Sequence, residues 1–508
     1  MLGGFGFTRG VLDRARRSRD ARFDGKFFIA VTSTRIYCRP ICPSRTSKDA
    51  NVRFYLTAAE AAAAGFRPCL RCRPETAPGS PAWLGTSAIV QRALRLIQDG
   101  ALDESSIEQL AARLGMGSRH LRRLFARHVG ASPIAVAQTR RLHFAKQLLD
   151  ETRLPITEVA LAAGFGSIRR FNTVFKAIYR RPPREFRRCH RTDDGDEAEI
   201  TLCLHYRPPY DWSQLQQFLV RRVVTGIERA TADSYVRTVR TATSSAILRV
   251  RPLPAVAALE LRIRGCESRD LLAMCSSVRR MFDLTADPAR IMAAFKADAH
   301  LRPLIERTPG LRIPGTWDAF ESGVRAIVGQ QVSVRAATTI LGRLAARCGE
   351  RLRAEVAGLT HLFPTPAALA EAKLSDIGLP RRRVDALQRF ARAVRDGVIC
   401  FDESGERVIA ALTALKGIGA WTAGYVALRG LGDPDAFPAG DLVLRRQLAA
   451  AGRSCSVEQL SAIAEGWRPF RGYAVLHLWQ ADTGTTPWPI RRPETASAGS
   501  APRLQSPA

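Results

Sequence analysis

Cys38, Cys42, Cys69 and Cys72 stand in the pattern C-x3-C-x26-C-x2-C, inside a stretch dense in arginine and aromatic residues. Two close pairs of soft thiolates, each carried on a tight turn, are what a tetrahedral Zn²⁺ takes from a chain. Arg39-Pro40-Ile41 makes the first turn and Leu70-Arg71 the second, bracketed by Pro68 and Pro74. With no apolar secretory leader in view, clustered thiols point to metal or thiol chemistry rather than disulfides. The expectation is one zinc ion held by all four. Such a site can simply staple a small fold, or its sulfur can react; spacing admits both. A second candidate lies far downstream. Asp441 follows Phe437-Pro438-Ala439-Gly440 and precedes Leu442-Val443-Leu444, which reads as a helix N-cap. A helix N-terminus also favours negative charge, and a carboxylate fixed there can stabilise an oxocarbenium-like sugar or help activate water. Trp421 and Tyr425, one helical turn apart, can either fill a core or stack against an extruded base.

The stretches Tyr37-Cys38-Arg39-Pro40-Ile41-Cys42 and Ala64-Gly65-Phe66-Arg67-Pro68-Cys69-Leu70-Arg71-Cys72 carry a family likeness, extended by Phe27-Phe28-Ile29-Ala30-Val31 and Asn51-Val52-Arg53-Phe54-Tyr55. Together they resemble the zinc domain of Ada-type DNA repair proteins over about residues 10–75. The resemblance implies that Cys38 takes a methyl group from a DNA methylphosphotriester while Cys42, Cys69 and Cys72 hold the metal. It also implies phosphate contacts by Thr34, Arg45 and Arg67. Taken by residue type alone, those arginines are ordinary solvated charge.

Periodicity organises the next segment. Ile107, Leu110, Ala111 and Leu114 form one apolar helical face, Gly115 breaks it, and Leu121, Leu124 and Phe125 form another. The same layout recurs with Ile156, Val159, Ala160 and Ala163, then Gly164, then Phe171, Val174 and Phe175. Each is a helix, a short turn and a second helix. The second helices carry Arg119, His120, Arg122 and Arg123, and Arg169, Arg170 and Asn172, on faces that a core does not need. Those residue types suit phosphate and base-edge contacts. One such hairpin is a generic αα unit; two, joined by an arginine-bearing helix near Arg140 to Leu149, are more specific. Ile156-Thr157-Glu158-Val159-Ala160, Gly164-Phe165, Phe171, Phe175 and Arg181-Pro182-Pro183 resemble the AraC-type DNA-binding domain over about residues 86–189. The resemblance implies two recognition helices entering successive major-groove segments.

The third region centres on Leu415-Lys416-Gly417-Ile418-Gly419-Ala420-Trp421-Thr422-Ala423, the form of a helix-hairpin-helix. Gly417 and Gly419 let the backbone present amide N–H groups to a phosphate at a helix N-terminus. Alone, this motif is a sequence-independent DNA anchor found in many non-enzymes. The stretches Leu202 to Trp212, Ala232-Asp233-Ser234-Tyr235, Met281-Phe282-Asp283-Leu284, Phe320 to Ser333, Trp467 and Ala474 to Trp479 widen the comparison. They resemble an AlkA-type 3-methyladenine DNA glycosylase over about residues 200–485. The resemblance implies Asp441 as catalytic carboxylate, Trp421, Tyr425 and Trp479 as walls of a base pocket, and Gln330-Gln331 as the loop that fills the gap in the duplex. Related bifunctional enzymes of the endonuclease III group carry a lysine where this chain has Trp421. Without that amine no Schiff base and no strand cleavage are expected. Their four-cysteine cluster is also missing, since no cysteine follows Cys455. An electron-rich aromatic pocket favours cationic N3- or N7-methylpurines.

Composition agrees with a DNA-directed, multidomain chain. The 508 residues carry a formal net charge of +30, nearly all of it from arginine. That excess points to a polyanion partner and is silent about fold. No apolar run is long enough to span a bilayer, which leaves membrane association unsupported and makes a cytoplasmic, nucleoid-associated protein the expectation. Cys189, Cys203, Cys266, Cys275, Cys348, Cys400 and Cys455 are scattered singly and read as reduced thiols.

Thr76 to Pro81 and the acidic run Asp193-Asp194-Gly195-Asp196-Glu197 read as linkers, and the Pro, Ser and Ala-rich end as a disordered tail. Arg188-Cys189-His190-Arg191 resembles the Cys-His-Arg core of O6-alkylguanine methyltransferases, but no domain of suitable size surrounds it, so it reads as linker.

The expected fold is multidomain α+β: a zinc methyl-acceptor domain (1–80), an all-α double helix-turn-helix domain (84–190), an α+β TATA-binding-protein-like domain (200–285), an all-α helix-hairpin-helix glycosylase core (286–488) and a tail (489–508). The expected function is repair of alkylated DNA coupled to transcriptional activation. Zinc is the cofactor, alkylated and promoter DNA the partners, and RNA polymerase a further partner. The competing reading is a transcription factor whose repair-like regions serve only as DNA-binding modules; the presence of all four thiols and Asp441 argues against it.

Overall fold

The computed structural model describes residues 7–74, 77, 88–103, 105–187, 199–356, 358–448 and 455–482. The acidic linker, the Cys-His-Arg sequence, the C-terminal tail and all of the earlier linker but Ala77 lie outside them.

The N-terminal unit is a small sheet between two helices. Strands β1 (Phe28–Val31), β2 (Ile36–Cys38), β3 (Val52–Tyr55) and β4 (Arg67–Pro68) lie in the order β3-β1-β2-β4. Every residue of central β1 is buried, as expected for a strand covered on both faces. Phe27 and Leu12 pack one face, and Phe28, Tyr37 and Phe66 the other. β1 is antiparallel to β2 and β3, but β2 and β4 are parallel.

The next unit is helical. Helix Ile107–Arg113 begins with a Ser106–Gln109 capping box, and the following helix runs Ser118–His128. A connector, Pro133–Glu151, is capped by Ser132 with proline in its first turn, the arrangement that stabilises a helix start. The second hairpin comprises Ile156–Ala162 and Ile168–Tyr179.

A five-stranded antiparallel sheet follows, with β5 (Glu199–His205), β6 (Glu228–Ala230), β7 (Tyr235–Arg240), β8 (Ser245–Leu253) and β9 (Ala258–Arg264) in the order β5-β9-β8-β7-β6. Helices Trp212–Val220 and Leu271–Met281 contribute Leu215, Leu219, Met274 and Val278 to one core with Leu202, Leu248 and Leu261 of the sheet. That apolar cluster continues into Leu148, Val159, Phe171 and Phe175 of the second helix-turn-helix. The rest is a helical body around Phe320, Leu387, Phe390, Val426 and Leu478, interrupted by a β10 (Arg351–Val356) and β11 (Leu359–His361) ribbon. Among the described residues, no helix is long and apolar enough to cross a membrane.

Candidate metal centre, DNA-facing helices and base pocket

β2 ends at Cys38 and β4 at Pro68, and their parallel register sets Ile36 beside Arg67 and Tyr37 beside Pro68. Cys38 and Cys69 are the next pair along. The Cys69 amide donates to the Tyr37 carbonyl at 2.9 Å, and the first turn closes with the Cys42 amide donating to the Arg39 carbonyl at 3.1 Å. One Sγ atom from each of Cys38, Cys42, Cys69 and Cys72 lies within 4.8 Å of the others. Cys42 and Cys69 Sγ are 4.0 Å apart, against about 3.8 Å for tetrahedral sulfurs at the usual Zn–S distance of about 2.3 Å. The Arg39 backbone N–H donates to Cys72 Sγ at 3.3 Å. Cys69 and Cys72 are buried, Cys38 and Cys42 half-buried.

Hydrogen bonding to Cys42 pushes the Cys38 thiol up, and bonding to Cys38 pushes Cys72 up. Bonding to Cys38 pulls Cys42 down and Cys69 down to about 6. Four thiolates within 4.8 Å of one another repel, and a divalent cation among them offsets that charge. The donor set fits one zinc ion.

Thr34 and Arg45 are exposed and Arg67 is half-buried. Arg119, Arg122, Arg169 and Arg170 are all exposed on the second helices of their hairpins, while Leu121, Phe125, Phe171 and Phe175 point into the cores. Arg122 reaches Glu108 at 3.2 Å on the preceding helix.

In the C-terminal body, Gly417 and Gly419 are exposed in the turn between helices Gly405–Thr413 and Ala420–Arg429. Gly417 has φ +98°, and a Cβ there would lie 2.7 Å from that of Ala386, so this turn needs glycine. One helical turn past Trp421, Gly424 lets the Phe437-Pro438 loop approach: a Cβ would lie 3.0 Å from Pro438 Cα. That loop delivers Asp441, the N-cap of Leu442–Gln447, whose Oδ1 accepts from Val443 N at 2.9 Å and Leu444 N at 3.1 Å. Trp421 Nε1 donates to Asp441 Oδ2 at 2.8 Å, and Trp479 Nε1 donates to Oδ1 at 3.2 Å. Asp441 thus caps its helix through backbone N–H groups and separately accepts from two indoles. Trp421 stacks on Tyr425 with centroids 5.3 Å apart, and Tyr425 meets Trp479 at 6.3 Å. The three rings and the carboxylate thus form one continuous wall.

Gln330 and Gln331 part company. Gln331 is exposed with φ +51°, whereas Gln330 Nε2 donates to Gly417 O at 3.2 Å and Thr422 Oγ1 at 3.0 Å. Gln330 ties its loop to the hairpin, which pattern reading did not anticipate. Also missed was Arg429, which donates to the Tyr425 hydroxyl. Burial raises the Tyr425 pKa, but Arg429 and Arg222 outweigh it and the net shift is downward. A lone arginine at the end of an apolar helix was the available signal.

Four family models match in chain order: the metal binding domain of Ada over residues 12–75, a helix-turn-helix domain over 110–189, the AlkA N-terminal domain over 201–318, and the HhH-GPD superfamily of base excision DNA repair proteins over 324–469. The probable bifunctional transcriptional activator/DNA repair enzyme AlkA of Mycobacterium tuberculosis is 40% identical over 472 residues, covering 92% of this chain and 95% of that protein. The chain belongs to this bifunctional activator and repair family. The DNA-3-methyladenine glycosylase 2 of Escherichia coli is 35% identical over 286 residues, 55% of this chain and 96% of its own. The bifunctional transcriptional activator/DNA repair enzyme Ada of the same organism is 38% identical over 148 residues, 29% of this chain and 40% of its own. A DNA repair enzyme and a helix-turn-helix regulator are therefore joined in one polypeptide, and DNA is its partner.

Proposed function

We propose that the chain repairs alkylated DNA at two centres, Cys38 and Asp441, and activates transcription through the double helix-turn-helix unit. The observation that carries the excision reading is the Asp441 carboxylate held by two indole N–H groups at the edge of an aromatic wall. A flipped alkylpurine stacks against Trp421, Tyr425 and Trp479, and its positive charge suits those ring faces. The N-glycosidic bond breaks with its electron pair leaving on the base. Asp441 stabilises the oxocarbenium-like sugar, and water adds to C1′ while its proton passes to the carboxylate or solvent. The products are free base and an intact abasic strand, because an indole rather than an amine stands at position 421. Gln331 occupies the vacated space in the duplex, while exposed Gly417 and Gly419 hold the backbone.

At the other centre, Cys38 Sγ attacks the methyl carbon of a phosphotriester. An S–C bond forms, the C–O bond breaks, and its electron pair remains on the phosphodiester. Cys38, Cys42, Cys69 and Cys72 would hold the zinc ion, which would supply the positive charge that keeps their sulfurs deprotonated at neutral pH. Thr34, Arg45 and Arg67 position the backbone at that site, and Arg119, Arg122, Arg169 and Arg170 hold promoter DNA. Losing one negative charge at Cys38 lessens repulsion from DNA phosphate, which strengthens promoter binding and recruitment of RNA polymerase.

The test uses duplex carrying labelled methyl on both phosphates and purines. The expected result is labelled 3-methyladenine in the supernatant, label on the Cys38 peptide, and no strand scission. Label on another cysteine overturns the acceptor assignment, and absence of free alkylpurine overturns the excision assignment.

A further inference from the structure

Cys38 lies between two residues that leave its unit in different directions. On one side the Tyr37 hydroxyl meets His143 Nε2 of the connector helix at 2.8 Å. On the other, Arg39 is 5% exposed, and its Nε donates to Asp24 Oδ1 at 2.8 Å while NH1 donates to the Cys72 carbonyl at 3.2 Å. The Asp24 carbonyl in turn accepts from Arg207 Nε at 2.8 Å. Arg207 belongs to the stretch after β5 and is completely buried. Beside it, Lys26 forms an ion pair with Asp287 at 2.7 Å, with side chains 2% and 1% exposed.

Charges this deep are costly to desolvate and stay only where their partners remain in place. The Asp24-Gly25-Lys26 turn and Arg39 therefore form a seated joint between the cysteine-bearing unit and the glycosylase half, rather than a passing surface contact. The joint also continues inward. Arg312 NH2 donates to the Arg207 carbonyl at 2.7 Å. Two residues on, the Pro314 carbonyl accepts from Arg429 Nε at 2.6 Å, and Arg429 NH1 donates to the Tyr425 hydroxyl in the base pocket. Each polar link from Cys72 to Tyr425 is a direct hydrogen bond or one short step of chain.

Building on the acceptor and excision roles assigned above, we propose that this joint couples the two repair centres, with Arg39 as the positioning residue, so that methyl transfer to Cys38 changes the rate of base excision at Asp441. The transfer removes one negative charge from a thiolate group whose Cys72 member contacts Arg39 through both sulfur and carbonyl. Buried charges are little screened by salt. Arg39 responds by shifting its share of the Asp24 carboxylate, and the Arg207–Arg312–Arg429 series carries the displacement to Tyr425.

The experiment measures single-turnover release of 7-methylguanine from duplex by the full-length zinc-loaded protein. It compares unmodified protein with protein first methylated by a methylphosphotriester oligonucleotide, mass spectrometry locating the methyl group. The expected result is a change in excision rate of about threefold or more, absent in Arg39→Gln. A second measurement does not need methyl uptake: amide exchange should rise at residues 205–209 and 311–316 in Arg39→Gln. Equal excision rates with the methyl located on Cys38 overturn the coupling, as does unchanged exchange in those two segments. Failure of methyl to reach Cys38 overturns the acceptor assignment instead, and exchange alone then decides the coupling.

Discussion

Between Cys38 and Cys72 the metal centre is assembled from one parallel strand pair and the turns that follow it, whereas the proposed base site draws Trp421 and Trp479 from two helices and Asp441 from the N-cap of a third. In the first, identical soft donors converge and their identity as ligands is written in their spacing. In the second, unlike groups converge, and each has an ordinary structural use. An aspartate caps helices everywhere, and tryptophan and tyrosine fill cores. Chemistry that needs four of the same atom is legible locally; chemistry that needs one atom in a special environment is not.

The sharpest way to break that contrast is Asp441→Asn. Asparagine still caps the helix, so the fold should hold while single-turnover excision falls by at least about 100-fold. Unchanged excision would mean that the pocket is only a core. At the metal centre the counterpart is Cys72→Ser, which removes one of four ligands and the sulfur that accepts from Arg39. It should lose zinc, read by metal analysis, and destabilise residues 7–74, because metal binding and folding of such small units are linked.

A finer probe is Trp421→Phe, which keeps an aromatic wall but deletes the 2.8 Å donor to Asp441. A hydrogen bond to a charged group contributes about 1.5–3 kcal/mol, so excision should drop roughly tenfold or more, with Trp479→Phe weaker because its contact is 3.2 Å. Equal effects would show that stacking, not donation, is what the indoles supply. Smaller still is Arg169→Ala on helix Ile168–Tyr179 of the second hairpin. Promoter affinity should fall by about 1–3 kcal/mol if that arginine reads a base, or nearly uniformly across sequences, with a shallower salt slope, if it grips phosphate.

The smallest expected effect concerns pH. Burial, helped by Lys146, pushes His143 down from 6.5 to about 4. The neutral ring that faces Tyr37 is at full strength above pH 6.5, and its contribution is lost as pH falls from 6.5 through about 4, because the unfolded chain takes up a proton that the folded one resists. The melting temperature should decline across that window, and less steeply in His143→Gln.

Much of this was legible in the sequence. The C-x3-C and C-x2-C spacings announced the zinc ligands, and apolar periodicity around Gly115 and Gly164 announced both helix-turn-helix hairpins. These patterns arise from short-range geometry, a turn or one helical face, which neighbouring residues decide. Asp441, Trp421 and Tyr425 stood out by type and spacing as either cap and core or base site; only family likeness favoured the second, and Trp479 was named through that likeness alone, since nothing in the spacing separates pocket from core.

Sequence by itself determined which side chains could react, where the two helix-turn-helix hairpins lie and how strongly cationic the polypeptide is, for these depend on residue type and on contacts within a few positions. Tertiary structure decided that two indole N–H groups meet one carboxylate, that Gln330 faces the hairpin while Gln331 faces out, and that Arg39, Asp24 and Arg207 interlock across residues 183 positions apart. Those outcomes depend on how separate elements pack, and burying a charge is tolerable only where a distant partner arrives to meet it.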